Sequence, residues 1–229
     1  KGLAKAAKKS GRVAAEGRIA VAAGVGCRSA RPSPAMTLFH VFLALCIVWL
    51  LSELWIGARH RSRKRSEVRD QGTLRLLLLT IGFCVALAVW LAYCGPDYWP
   101  SSRLPAQWRT PLLIAGCALM AAGMPLRWWS VRTLAQFFTI DVAIREGHRL
   151  IRSGPYRLLR HPSYTGALMT FWGFALALGN WPALAVVIVP VTAAFLWRMR
   201  IEERVLADAF PADYPAYARE TKRLVPYLW

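Results

Sequence analysis

Between His148 and Tyr164 the chain reads HRLIRSGPYRLLRHPSY, a polar and basic stretch set between one long apolar region and another that follows at once. It holds a Gly154-Pro155 turn, two tyrosines (Tyr156, Tyr164), two histidines (His148, His161) and a second proline turn at Pro162. Donors, cations and aromatic faces gathered where the chain re-enters an apolar run make a site at a membrane interface. Further on, Arg198 and Glu202 stand four residues apart, a spacing that puts both on one face of a helix. A cation and an anion so placed can each take one charged group of a bound molecule, or simply pair with each other. No HExxH, P-loop, GxSxG or strand-following GxGxxG occurs, so zinc-hydrolase, P-loop nucleotide and serine-hydrolase chemistry have no support, and no metal is expected.

The elements that position these residues follow from composition. Of 229 residues 56% are hydrophobic, with 11 Trp and 12 acidic against 30 basic side chains. The apolar residues fall into separate runs, each near the ~20 residues that a bilayer core requires. The formal charge of +18 is concentrated in short segments flanking those runs, which is the pattern of cytoplasmic membrane loops rather than of nucleic-acid binding. Three runs, Thr37 to Ala58, Leu74 to Cys94 and Pro111 to Leu126, precede the polar stretch; the third breaks at Pro125, where Arg127, Trp128 and Trp129 mark a return to the interface. Gly116 and Gly123 give that run small surfaces for close helix packing. After the polar stretch come Tyr164 to Leu178, an uncharged Gly179-Asn180-Trp181-Pro182 turn, and Ala183 to Trp197, read as a helical hairpin.

The expectation is an all-α, multi-pass integral membrane protein of about five transmembrane helices with a cytoplasm-facing C-terminal catalytic region. Residues 1–35 form a separate basic segment, 36–130 hold helices 1–3, and 131–229 hold the catalytic region. The first segment has eight Lys or Arg and one acid, Glu16; it reads as targeting sequence or, better, as sequence upstream of a start at Met36, since the topology puts it outside against the positive-inside rule. Cys46, Cys84 and Cys117 lie within apolar runs and read as buried free thiols, and His40 as a helix-packing polar group. Tyr214, Tyr217 and the final Pro226-Tyr227-Leu228-Trp229 read as interfacial anchors for the tail.

Gly154-Pro155-Tyr156, Arg160-His161-Pro162-Ser163-Tyr164-x-Gly166, Glu202-Glu203-x-x-Leu206 and Tyr214-x-x-Tyr217 through Val225-Pro226 resemble the C-terminal catalytic region of the isoprenylcysteine carboxyl methyltransferase family, and of the related phospholipid methyltransferases. The resemblance covers roughly Phe138 to Trp229; Met36 to Leu126 matches only as generic membrane helices. It implies methyl transfer from S-adenosyl-L-methionine, leaving S-adenosyl-L-homocysteine, to a lipophilic acceptor from the bilayer. It assigns His148, Arg149, Leu150, Ile151, Tyr156, His161, Pro162, Ser163, Tyr164 and Glu202 to the cofactor, with Glu202 on its ammonium group, and Arg198 to the acceptor as the catalytic residue.

The residue types suit such a cofactor, which carries a sulfonium, an ammonium and a carboxylate and so needs an anion, donors and aromatic faces. A carboxylate acceptor is already ionised at neutral pH and needs no general base. Its tail is expected between the third span and the terminal hairpin. The rivals are a phospholipid N-methyltransferase or thiol S-methyltransferase of the same superfamily, a sterol-reductase-like membrane oxidoreductase, and a non-enzymatic membrane protein.

Overall fold

The computed structural model describes residues 34–60, 72–138 and 150–226. His148 and Arg149 lie outside the described residues, as does nearly all of the 1–35 segment. The chain divides into two compact units, Lys1–Met36 and Thr37–Trp229, and the site lies in the second.

Seven α-helices are described: α1 (Pro34–Arg59), α2 (Thr73–Tyr93), the one-turn α3 (Gly95–Tyr98), α4 (Ala106–Leu134), α5 (Pro162–Ala177), α6 (Trp181–Ala209) and α7 (Asp213–Glu220). Among the described residues, α1, α2, α4 and α6 are long and apolar enough to cross a membrane. The run expected as a further span is α5, whose 16 residues reach only about 24 Å at ~1.5 Å per residue. None of its residues is exposed, and those from Pro162 and Ser163 through Leu168 and Phe171 to Ala175 are buried over most of its circumference, so it forms the centre of the bundle.

What lets α5 sit there is glycine. A Cβ on Gly166 would stand 2.6 Å from the Gly123 carbonyl oxygen, and one on Gly173 would stand 2.5 Å from that of Gly116. The two pairs lie two helical turns apart along an antiparallel crossing, so the α4 and α5 backbones touch. α4 also runs straight through Pro111 and Pro125 to Leu134, past the break expected at Pro125. A membrane helix tolerates an internal proline when neighbouring helices support the freed backbone, and here α5 is packed against that stretch. Helix α4 ends at Ala135, whose φ of 48° no longer continues a right-handed helix.

The expected hairpin is present. Asn180 caps α6 by accepting from the Ala183 backbone N–H, and its amide donates to Leu91 O and Ser102 Oγ, both at 3.1 Å. One buried side chain thus fixes the start of α6, the end of α2 and the connection between α2 and α4. Helix α6 continues past Trp197 without interruption to Ala209 and carries Arg198 and Glu202 on its C-terminal half.

Helix α1 stands off from this core. Trp49 meets the edge of Phe171 at 4.8 Å, and Phe42 stacks on Phe174 at 6.0 Å. His40, expected to pack between helices, is on the exposed face of α1.

Candidate active site

The GPY segment forms a 3₁₀ turn, Gly154–Arg157, that buries Pro155 and Tyr156. Gly154 has φ +58°, which favours glycine, and a Cβ there would lie 3.0 Å from Thr133 Oγ1, a tight contact. The residues that follow pair with the C-terminal tail: Arg160 N–H donates to Lys222 O at 2.7 Å, Lys222 N–H to Leu158 O at 3.1 Å, and His161 N–H to Arg223 O at 3.1 Å. Tyr217 Oη donates to Tyr156 O at 2.8 Å, and Thr165 Oγ1 to Leu224 O at 2.9 Å. The tail is therefore a strap that fixes the RHPSY motif at the head of α5.

Glu203 is the hub of that strap. It accepts from Arg160 Nε at 3.2 Å and from Arg223 Nη2 at 2.8 Å, and lies 3.3 Å from His161 Nε2. Replacing Glu203 with Ala leaves two half-buried guanidinium groups without their carboxylate. We expect a loss of about 2–3 kcal/mol, below the ~3–5 kcal/mol for breaking a fully buried pair because the site is partly solvated. Thermal unfolding in detergent measures it, and Glu203→Gln, which keeps one acceptor, restores part of the loss.

Glu202, one residue earlier, points to the other side. Tyr164 Oη donates to Glu202 Oε2 at 2.7 Å and accepts from Arg198 Nε at 3.1 Å. Arg198, only 2% exposed, also donates from Nη1 to Thr73 Oγ1 at 3.0 Å. The expected i, i+4 couple is thus present but spliced by a phenol: cation, hydroxyl and carboxylate form one chain. The His161 ring stacks on Tyr164 with centroids 5.5 Å apart, and its Nδ1 lies 4.0 Å from Glu202 Oε2.

His161, Tyr164, Arg198 and Glu202 face one cavity of about 1080 Å³. Leu150, Ile151, Tyr156, His161, Ser163, Tyr164, Arg198 and Glu202 line it, so the structure brings together every expected site residue that it describes except Pro162. Pro162 is buried at the first turn of α5, where a proline's fixed φ and missing N–H start a helix.

Other residues on its wall were not foreseen. Glu53 of α1 and Arg127 of α4 form a bidentate pair, Oε1 to Nε at 2.5 Å and Oε2 to Nη2 at 2.7 Å. Arg127 Nη1 also donates to Ser163 Oγ at 3.1 Å, tying α1 and α4 to the motif. The signal was there in a lone carboxylate at the end of an apolar run, which by default calls for a partner.

Tyr214 and Tyr217, expected as interfacial anchors, are instead 5% and 4% exposed and line the cavity. The short helix α7 turns both inward. Burial pushes the Tyr217 phenol up to about 12, against the opposing pull of Arg160. Burial, with the Glu202 carboxylate nearby, raises Tyr156 well above the ordinary phenol range. Both stay protonated donors at physiological pH.

The apolar part of the cavity lies between α1 and α2, lined by Leu50, Leu54, Leu78, Ile81, Val85 and Val89 among others. A tail between α4 and the α5–α6 hairpin, as the sequence suggested, has no room, because the α4 and α5 backbones are in contact.

Comparison with known proteins agrees with this geometry. A family model described as phospholipid methyltransferase matches residues 112–213. It begins inside α4, upstream of Phe138 where the motif resemblance starts, as expected if α4 and α5 are one packed unit. Protein-S-isoprenylcysteine O-methyltransferase B of Arabidopsis thaliana is 32% identical over 115 residues, 49% of this chain, and the chain spans 58% of that relative. A probable protein-S-isoprenylcysteine O-methyltransferase of Oryza sativa subsp. indica is 30% identical over 193 residues, covering 82% of this chain and 95% of the relative. The chain belongs to the protein-S-isoprenylcysteine O-methyltransferase family. A solved structure of the eukaryotic intramembrane Ras methyltransferase ICMT superposes with a TM-score of 0.61 at 17% identity, covering 87% of this chain and 70% of that one. That structure shares this fold, and the present chain is accordingly an integral membrane protein whose described elements are all helical.

Proposed function

We propose that this protein is a membrane-embedded methyltransferase that moves a methyl group from S-adenosyl-L-methionine to the carboxylate of an isoprenylcysteine or a similar lipophilic acid, with its active site on the cytoplasmic side. One observation carries the reading: Arg198 and Glu202, joined by the Tyr164 hydroxyl, stand where the polar and apolar parts of one cavity meet.

The residues present fit the cofactor. Glu202 offers a carboxylate for an ammonium group, the phenols of Tyr156 and Tyr164 offer aromatic faces for a sulfonium or an adenine, and Leu150, Ile151 and His161 lie on the same wall. S-adenosyl-L-methionine would supply an electrophilic methyl group and leave as S-adenosyl-L-homocysteine. The chain's own contribution is to hold, orient and exclude water. Pockets for one drug-sized ligand run to about 1,000 Å³, so this cavity has volume for a cofactor together with part of an acceptor.

The acceptor side follows from α2. Apolar lining runs from Leu74 to Val89, roughly 22 Å of helix at ~1.5 Å per residue, starting beside Thr73, which holds Arg198. An extended lipid tail fits between α1 and α2 with its head at Arg198. A fixed guanidinium favours an anionic head over an amine, which ranks carboxyl methylation above N-methylation. Because a carboxylate needs no deprotonation, Arg198 acts by alignment and charge.

The test uses the full chain in detergent with methyl-labelled S-adenosyl-L-methionine, offered a farnesylcysteine analogue and, separately, a membrane lipid extract. Label that mild alkali releases as methanol from the farnesylcysteine product is a methyl ester and the expected result. Alkali-stable label on lipid would replace the reading with N- or S-methylation, and no transfer to either would overturn it.

A further inference from the structure

We propose that the Tyr214 hydroxyl is a ligand-binding donor that hydrogen-bonds the carboxylate at the amino-acid end of the methyl donor; this rests on the reading of S-adenosyl-L-methionine as cofactor.

Tyr214 sits at the start of α7 on the cavity wall, 5% exposed. Among the described residues its hydroxyl is the one fully buried side-chain polar atom without a hydrogen-bond partner. Folded proteins pair such groups, and an orphaned hydroxyl on a residue that lines a cavity marks a place where a ligand completes the pairing. The neighbouring Tyr217, three residues on and in edge contact at 6.3 Å, makes the contrast, because its hydroxyl is spent on Tyr156 O. Tyr214 is held in place without help from its hydroxyl: its N–H donates to Phe210 O at 2.9 Å and its ring packs on Tyr217.

The choice of group follows from the charges around it. Burial, together with the Glu203 carboxylate, holds the phenol above its ordinary range, so the proton stays on at any physiological pH. Glu203 is already engaged by Arg160, Arg223 and His161. Of the two carboxylates on the cavity wall, Glu53 is paired with Arg127, and Glu202 is left to take an ammonium group. In an α-amino acid the ammonium and the carboxylate are borne on one carbon, so the site that binds the first must provide a donor for the second close by. Tyr214, in the field of both Glu202 and Arg160, supplies that donor without adding a positive charge beside the ammonium.

The measurement is ligand affinity by calorimetry on the full chain in detergent. The probes are S-adenosyl-L-homocysteine and its decarboxylated counterpart, S-adenosyl-3-thiopropylamine, which keeps the ammonium. We expect Tyr214→Phe to weaken S-adenosyl-L-homocysteine about 10- to 100-fold, the scale of one hydrogen bond to a charged group. The decarboxylated compound should change less than about twofold, as a double-mutant cycle on one contact requires. The thermal midpoint of the ligand-free variant should not fall, since the hydroxyl removed has no protein partner. Equal weakening of both compounds, or of neither, overturns the assignment. If the variant does not fold, the wild-type chain decides: equal affinity for the two compounds overturns it, and a preference for the carboxylated one of the stated size supports it. A wild-type chain that binds neither overturns the cofactor reading itself.

Discussion

Replacing Arg198 with Ala is expected to cut kcat/KM for the lipophilic acid roughly 30- to several-thousandfold while changing methyl-donor affinity by no more than about threefold. The range comes from the ~2–5 kcal/mol that truncating one member of a buried, hydrogen-bonded charge pair costs, at 1.36 kcal/mol per factor of ten. The split between the two effects comes from the geometry. Among the described residues the Arg198 guanidinium is held by Tyr164 Oη and Thr73 Oγ1, and in that chain Glu202 is bonded to Tyr164 Oη. Removing Arg198 takes the cation from the acceptor side but leaves the Tyr164–Glu202 bond in place. Arg198→Lys should fall between, since an ammonium keeps the charge but not the fork that reaches two hydroxyls. Glu202→Gln should do the converse, weakening the donor first. Calorimetry for the donor and initial rates for the acceptor separate the two. If Arg198→Ala lost the donor and Glu202→Gln kept it, the two roles would be exchanged.

How much of this was legible beforehand depended on the range of the interaction. The Arg198–Glu202 couple is local: four residues on one helix, readable from spacing alone. The hairpin at Gly179 to Pro182 was readable for the same reason, from turn chemistry and the lack of charge. The phenol between Arg198 and Glu202 was not, because Tyr164 comes from a helix whose register against α6 only the packing decides. Nor was the Glu53–Arg127 pair, which joins residues far apart in sequence on two different apolar runs. Tyr214 and Tyr217 were placed at the interface by composition, since aromatic residues near basic ones usually belong there. What turned them inward is the strap of residues 221–224 against 158–161, a tertiary pairing with no local pattern. Pro125 misled in the other direction: the proline rule is one for water, and α4 lies where α5 supports it.

The glycines give the sharpest test of how α4 and α5 carry the site. Gly166→Ala should destabilise the protein by about 3 kcal/mol, at the upper end of the usual penalty for overpacking, and lower its thermal midpoint in detergent by roughly 6–12 °C. The added methyl would lie 2.6 Å from the Gly123 carbonyl oxygen and 2.7 Å from the Arg127 nitrogen. Both are backbone atoms, so no side chain can swing away and the helices must part. Arg127 would then move with α4, loosening its bonds to Ser163 and Glu53, so methyl transfer should fall even where the fold survives. Gly82 supplies the control: it lies within α2 on the same cavity, and a Cβ there meets nothing within 4 Å. Gly82→Ala should therefore leave stability unchanged or raise it by up to ~1 kcal/mol, the ordinary helical preference for alanine. Opposite signs at the two positions mean that Gly166 is in the motif for contact between helices rather than for freedom of the chain. A Gly166→Ala protein as stable as the parent would mean that α4 and α5 are not held at backbone distance, and the apolar room for the acceptor would no longer be confined to the α1–α2 side.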